Sequence, residues 1–268
     1  MDMKPDRMPV LFVGHGNPMN AIEENDFSRR WHECAAELPR PTAILCISAH
    51  WETKGTGVTA METPPTIHDF GGFPEELFAV QYAAPGSPQL AQETRGAVKK
   101  AAVSLDTEWG LDHGCWSVLK QMYPKADVPV IQLSLDRTQP ARFHYELAKE
   151  LGPLRHKGVL ILGSGNMVHN LGLIAYARDG SDPFTTPFGF DWALEANALF
   201  KKLIEENRHE ELANYRSLGS AVQLAVPTPE HYLPMLYSVA LRQAEEPLSW
   251  FNDTPVAGSL TMTSFRIS

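Results

Sequence analysis

No run among the 268 residues approaches the roughly 20 consecutive apolar positions needed to cross a bilayer, so no membrane-spanning helix is expected. Cysteine is scarce. Cys34, Cys46 and Cys115 are odd in number and lack C-x-x-C or zinc-finger spacing, which argues against a disulfide framework and fits a reducing cytoplasm. Positive charge is also in short supply: 23 Lys and Arg face 32 Asp and Glu, and the formal charge of −9 removes the electrostatic case for binding nucleic acid. The opening MDMKPDRMPV is polar before it turns apolar, unlike a secretory leader. H-E-x-x-H, G-x-S-x-G, the P-loop lysine motif and G-x-G-x-x-G are all missing. GSGN at 163–166 is too short for a phosphate loop and lacks its lysine. No internal repeat, charge block or linker interrupts the chain, so residues 1–268 are expected to form one domain.

What is present is an alternation of strand-like and helix-like segments. Apolar runs predict strands over residues 10–14, 42–49, 128–135 and 157–165, a short one within 55–62, and an edge strand in the tail 258–268. Helical spacing of Trp31, Cys34, Ala35 and Leu38 predicts a helix over 27–38, ended by Pro39 and Pro41. Further helices are expected over 87–105 with Ser87 as cap, over a short stretch ending before Pro124, from a cap near Thr138, after the loop that starts at Asp182, and from a first turn holding Pro229. Strands alternating with helices imply an α/β fold with a largely parallel or mixed central sheet flanked by helices. The segment 63–88 is rich in Pro, Gly and aromatic residues and is expected to be a long ordered loop.

Ten histidines are present, and their placement carries the information. The run before His15 (VLFVGHGNP) and the run before His50 (AILCISAHWE) both finish on an imidazole, at the strand ends where open α/β sheets bind ligands. His113 precedes a helix, His169 follows a strand through GSGNM, and His231 lies in the first turn after Pro229. Five histidines at such junctions can meet in one cleft, and neutral imidazole is a common ligand for zinc and iron. His32, His144, His156 and His209 sit in helical or charged polar surroundings and read as surface or structural residues; His68 is either a pocket residue or a loop hydrogen-bonder.

The motifs GHGNPM, SAHWE, TIHDFGGFPEELF with QYAAPG, LDHGCW, GSGNMVHN and TPEHYLP together span nearly the whole chain. As a set they resemble the class III extradiol ring-cleavage dioxygenases of the LigB superfamily, in the branch of DOPA 4,5-extradiol dioxygenases. The resemblance implies an α/β domain related to the catalytic chain of protocatechuate 4,5-dioxygenase. It also implies a non-haem Fe(II) site that inserts both atoms of O2 beside the two hydroxyls of a catechol such as DOPA, giving a muconic semialdehyde that can cyclise. His15 and His50 would be metal ligands. The third would be His231, with Glu230 as the alternative, because the related protocatechuate enzyme uses a glutamate and adjacent residues of a helical turn point about 100° apart. His169 matches the acid/base histidine and, without substrate, a fourth metal ligand; His113 matches a second catalytic histidine that contacts substrate or oxygen. His68, Asp69, Phe73 and Tyr82, with Phe70, are expected to line the substrate pocket. Zn(II) would compete with Fe(II) for these ligands. Two rivals stay open: a zinc-dependent hydrolase or lyase on the same fold, and a relative that binds a partner without catalysis.

Overall fold

Strands buried on both faces need side chains that are apolar at every position. Val10–Gly14 (β1), Ala43–Ser48 (β2), Val130–Gln132 (β3) and Val159–Gly165 (β4) meet this requirement, since each of their residues is buried. The structure, a computed structural model, describes residues 7–176 and 180–268; most of the polar N-terminal stretch read above lies outside them. Two further strands, Leu248–Phe251 (β5) and Ser264–Ile267 (β6), complete a six-stranded sheet in the order β3-β2-β4-β1-β6-β5. The first three pairings are parallel and the last two antiparallel, so the sheet is mixed.

The period of two sorts the strand side chains cleanly. Val10, Phe12, Leu45, Ile47, Val159 and Ile161 enter one apolar cluster, while Leu11, Val13, Ile44, Cys46, Leu160 and Leu162 enter the other. Helices Asp26–Glu37 (α1) and His113–Met122 (α2) cover the second face through Trp31, Cys34, Trp116 and Leu119. Ala141–Lys149 (α3), Asp191–Glu205 (α4) and Leu233–Val239 (α5) cover the first through Leu147, Phe200 and Leu236. The result is a three-layer α/β fold, as the alternation of segments led one to expect.

Several boundaries differ from the expectation. The helix over 87–105 stops early, at Pro88–Ala97, and Val103–Asp106 instead forms a parallel ladder with Thr56–Thr59, away from the main sheet. The apolar run 128–135 breaks into Val130–Gln132 and Leu135–Asp136, because the N–H of Leu133 bonds back to Cys46 and that of Ser134 to Gly57. The helix after Pro229 begins at Leu233, so His231 lies in the turn before it. The tail strand is not an edge: β6 is hydrogen-bonded on both sides, and LSWF at 248–251 supplies the outer edge. The long loop 63–88 contains one helical turn, Glu75–Phe78. It is tied down by paired backbone bonds between Ile67 and Leu111 and between Leu111 and Pro65.

Candidate metal centre

Parallel strands in register end together, and so do the residues that follow them. Gly14 pairs with Gly165 and Ser48 with Ser164, which brings His15, His50 and the chain leaving β4 to one edge of the sheet. The His15 N–H donates to the Gly165 carbonyl (3.0 Å) and the Ala49 N–H to the Ser164 carbonyl (2.9 Å). The turn carrying His231 lies directly on β4, where the Asn166 N–H donates to the His231 carbonyl (2.9 Å). Glycine is required there: a Cβ on Gly165 would stand 2.2 Å from that carbonyl oxygen. Gly114 plays a similar part beneath His50, since its Cβ would lie 2.5 Å from Ser48 Oγ and 2.8 Å from His50 Cδ2. His113 opens α2, whose N-cap is Asp112.

The hydrogen-bond partners fix which imidazole nitrogen is free. Ser164 donates its hydroxyl to the Gly114 carbonyl (2.5 Å), so toward His15 Nδ1, 3.0 Å away, it presents a lone pair and accepts Nδ1–H. Asp69 Oδ2 stands 3.4 Å from His50 Nδ1 and 3.0 Å from His113 Nδ1, while Asp69 Oδ1 accepts the His113 N–H (2.9 Å). The His113 Nδ1 contact is a charge contact set off the hydrogen-bonding line. Glu230 Oε1 lies 3.2 Å from His231 Nδ1. Each Nδ1 is thus turned to an oxygen, which leaves Nε2 as the coordinating nitrogen, an arrangement typical of metal-binding histidines. His15 Nε2 and His50 Nε2 then face each other at 3.2 Å. With both protons committed to Nδ1, two lone pairs at this distance repel unless a cation sits between them. Two imidazole nitrogens on one ion, at about 2.1 Å each, stand roughly 3.0–3.4 Å apart.

The ring positions add a third candidate. The centres of His15, His50 and His231 form a nearly equilateral triangle with sides of 5.1, 5.3 and 5.0 Å. Three imidazoles sharing an ion would have centres roughly 4.6–5.3 Å apart. The ligating atoms of His15, His50 and His113 also lie within 4.8 Å of one another, so the donor set is large enough to offer a choice. His113 fits the triangle less well, with centres 3.8 Å from His50 and 5.8 Å from His15. His169 stacks on His231 at 3.5 Å with planes 7° apart; parallel rings share no in-plane point, so their lone pairs do not converge on one ion.

Burial keeps these rings neutral. It holds His15 and His231 well below the ordinary histidine range, and the neighbouring imidazoles add to the effect. Burial, reinforced by His113 and opposed by Asp69, lowers His50 to about 3. Burial against the weaker pull of Glu230 lowers His169 to about 4. Burial pushes the Asp69 carboxyl up, but its contacts with His113 outweigh this and its pKa ends below the usual value. Asp112, buried and pushed up by burial and by Asp69, accepts from Ser48 Oγ (2.6 Å) and Gln132 Nε2 (2.7 Å), so a polar network underlies the histidines.

A cavity of about 330 Å³ opens onto His15, His50, His113, His169 and His231. A larger groove of about 640 Å³ between Glu23, Arg29 and Lys120 is lined by charged surface residues and holds no such cluster. Phe70 and Phe73 line the histidine cavity. His68, Asp69 and Tyr82 do not: His68 Nε2 bonds the Val80 carbonyl (2.9 Å), Tyr82 donates its hydroxyl to the Tyr123 carbonyl (3.1 Å), and Asp69 stands behind His50 and His113. The sequence reading did not anticipate Asn17, Leu171, Ile174, Phe184 and Leu260 on the lining, nor Ser164 behind His15. Ser164, within GSGN, carried the only sequence signal among these: a polar residue late in an apolar strand. Among the described residues no helix is long and apolar enough to cross a membrane.

Residues 9–240 match the protein family described as the catalytic LigB subunit of aromatic ring-opening dioxygenase. The chain is 46% identical over 266 residues to a 4,5-DOPA dioxygenase extradiol of Escherichia coli (strain K12), covering 99% of this chain and 96% of that protein. A 4,5-DOPA dioxygenase extradiol of Beta vulgaris is 37% identical over 232 residues, 84% of each. Among solved structures, an uncharacterized protein from Escherichia coli K12 superposes with a TM-score of 0.83 at 40% identity, over 98% of this chain and 100% of that one.

Proposed function

We propose, from the premise that this chain belongs to the LigB family of aromatic ring-opening dioxygenases, that it cleaves a catechol beside its two hydroxyls with O2 and Fe(II). The observation that carries the metal assignment is the pair of Nε2 atoms of His15 and His50, facing at 3.2 Å with both Nδ1 positions turned to oxygen. The near-equilateral ring triangle supports His231 as the third ligand, and the contact of Glu230 with His231 Nδ1 makes Glu230 its orienting partner. When bound, the ion supplies a centre that chelates the catechol oxygens and brings O2 to the ring.

The chain's own groups handle protons and position. His169, neutral because burial lowers it to about 4, takes a proton from an incoming catechol hydroxyl. The catechol anion that results stabilises the imidazolium beside it. Stacking on His231 keeps His169 next to the donor set and out of it. His113, its Nδ1 turned to Asp69, keeps Nε2 free to exchange a proton with the bound substrate. Phe70 and Phe73 wall the cavity and restrict water at the reacting ring. The three cysteines are buried and unpaired, in keeping with a reducing cytoplasm.

Zn(II) ranks above Fe(II) for such nitrogen ligands, so purified protein is expected to carry zinc and to work only after exchange. The test is oxygen uptake and yellow product from L-DOPA or simple catechols after anaerobic loading with Fe(II). Absence of both, with hydrolysis of an ester or amide by the zinc form, would overturn the proposal in favour of a hydrolase.

A further inference from the structure

The walls of the cavity narrow the substrate class, an inference that rests on the ring-opening proposal above. Facing the histidines are Phe70, Phe73, Leu171, Ile174, Phe184 and Leu260. Among the described residues the only other polar side chain on the lining is Asn17, and its Oδ1 already accepts the Met19 N–H (3.0 Å). No described Lys, Arg, Asp or Glu lines the cavity. The charged groups just behind the histidines, Asp69 and Glu230, are both carboxylates. A carboxylate on the substrate therefore meets no cation here and has two like charges nearby. An ammonium would exchange its hydration for phenyl and aliphatic contacts.

Burying a charge without a partner is expensive, whereas apolar surface gains from the same wall. The volume of about 330 Å³ lies at the small end for ligand sites, enough for one ring and a modest substituent. We propose that the preferred substrate is a catechol bearing an uncharged, apolar substituent, and that amino-acid and carboxylate-bearing catechols are poor substrates. Phe70 and Phe73, 5.3 Å apart and edge to face, form the fixed part of the wall. Leu171, 57% exposed, stands at its rim.

The experiment compares catechols of similar size: 4-propylcatechol (neutral), dopamine (cation), 3,4-dihydroxyphenylpropionate (anion) and L-DOPA (zwitterion). Dissociation constants are measured on the redox-inert zinc form, and kcat/KM on the Fe(II) form. 4-Propylcatechol should bind about tenfold or more tighter than each charged analogue, and kcat/KM should follow the same order, chiefly through KM. Leu171→Arg should raise the ratio of kcat/KM for dihydroxyphenylpropionate over propylcatechol by about tenfold. L-DOPA, dopamine or the propionate binding as well as propylcatechol would overturn the proposal. If the zinc form shows the expected order but the Fe(II) form opens no ring, the substrate class stands for the cavity and the ring-opening proposal fails.

Discussion

Glu230 and His231 are adjacent, yet their side chains do different work. Glu230 accepts from Thr228 Oγ1 (2.8 Å) and lies against His231 Nδ1, so its carboxylate turns toward the back of the imidazole. Glu230→Gln keeps a hydrogen-bond partner for Nδ1, and its metal content should stay close to one ion per chain, with affinity weakened by about tenfold. His231→Gln removes a ligand, and the variant should lose most of its bound metal after dialysis. Metal analysis of the two variants decides between them, and full retention by His231→Gln would make Glu230 the ligand. The choice was not legible in the sequence, because helical geometry says only that adjacent residues diverge. Which one diverges toward the ion depends on the turn before α5, and that turn is set by contacts with β4.

At the scale of elements, the site depends on strand ends that let another backbone come close. Gly165 is the sharpest case, with the His231 carbonyl oxygen 2.2 Å from where a Cβ would be. Gly165→Ala must push the His231 turn away from β4. The change should cost about 2 kcal/mol or more in unfolding free energy and weaken metal binding in the same variant. Denaturant unfolding of metal-free protein and a metal titration check the two effects. The strands carrying His15 and His50 were legible because continuous apolar runs mark them. The wall formed by Leu171, Ile174 and Phe184 was not, because no periodicity marks a loop that packs by side-chain shape alone. The helix expected over 87–105 failed for a related reason: Val103–Asp106 takes strand pairing from Thr56–Thr59, a partner more than 40 residues distant in the chain.

For the whole molecule, buried neutral histidines make stability depend on pH. His144, within bonding distance of the Tyr237 hydroxyl (3.0 Å) and the Asp136 carbonyl (3.2 Å), is lowered to about 4, chiefly by burial. Its ordinary value is about 6.5, so between these limits the unfolded chain binds a proton that the folded chain does not. The contribution is complete above pH 6.5 and is lost as pH falls toward 4, on the order of 3 kcal/mol from this residue. His144→Gln should flatten the dependence of unfolding free energy on pH by up to about 1.4 kcal/mol per pH unit within that window, as measured by denaturant melts at several pH values. An unchanged slope would mean that His144 is charged in the native state.

The three histidines assigned to the ion stand at positions 15, 50 and 231, so most of the polypeptide separates the first from the last. A chain still emerging from the ribosome holds an incomplete set of donors until residue 231 has been made and the sheet has closed. Capture of the ion is therefore the last event of maturation, and any excursion that parts the two ends of the chain releases it.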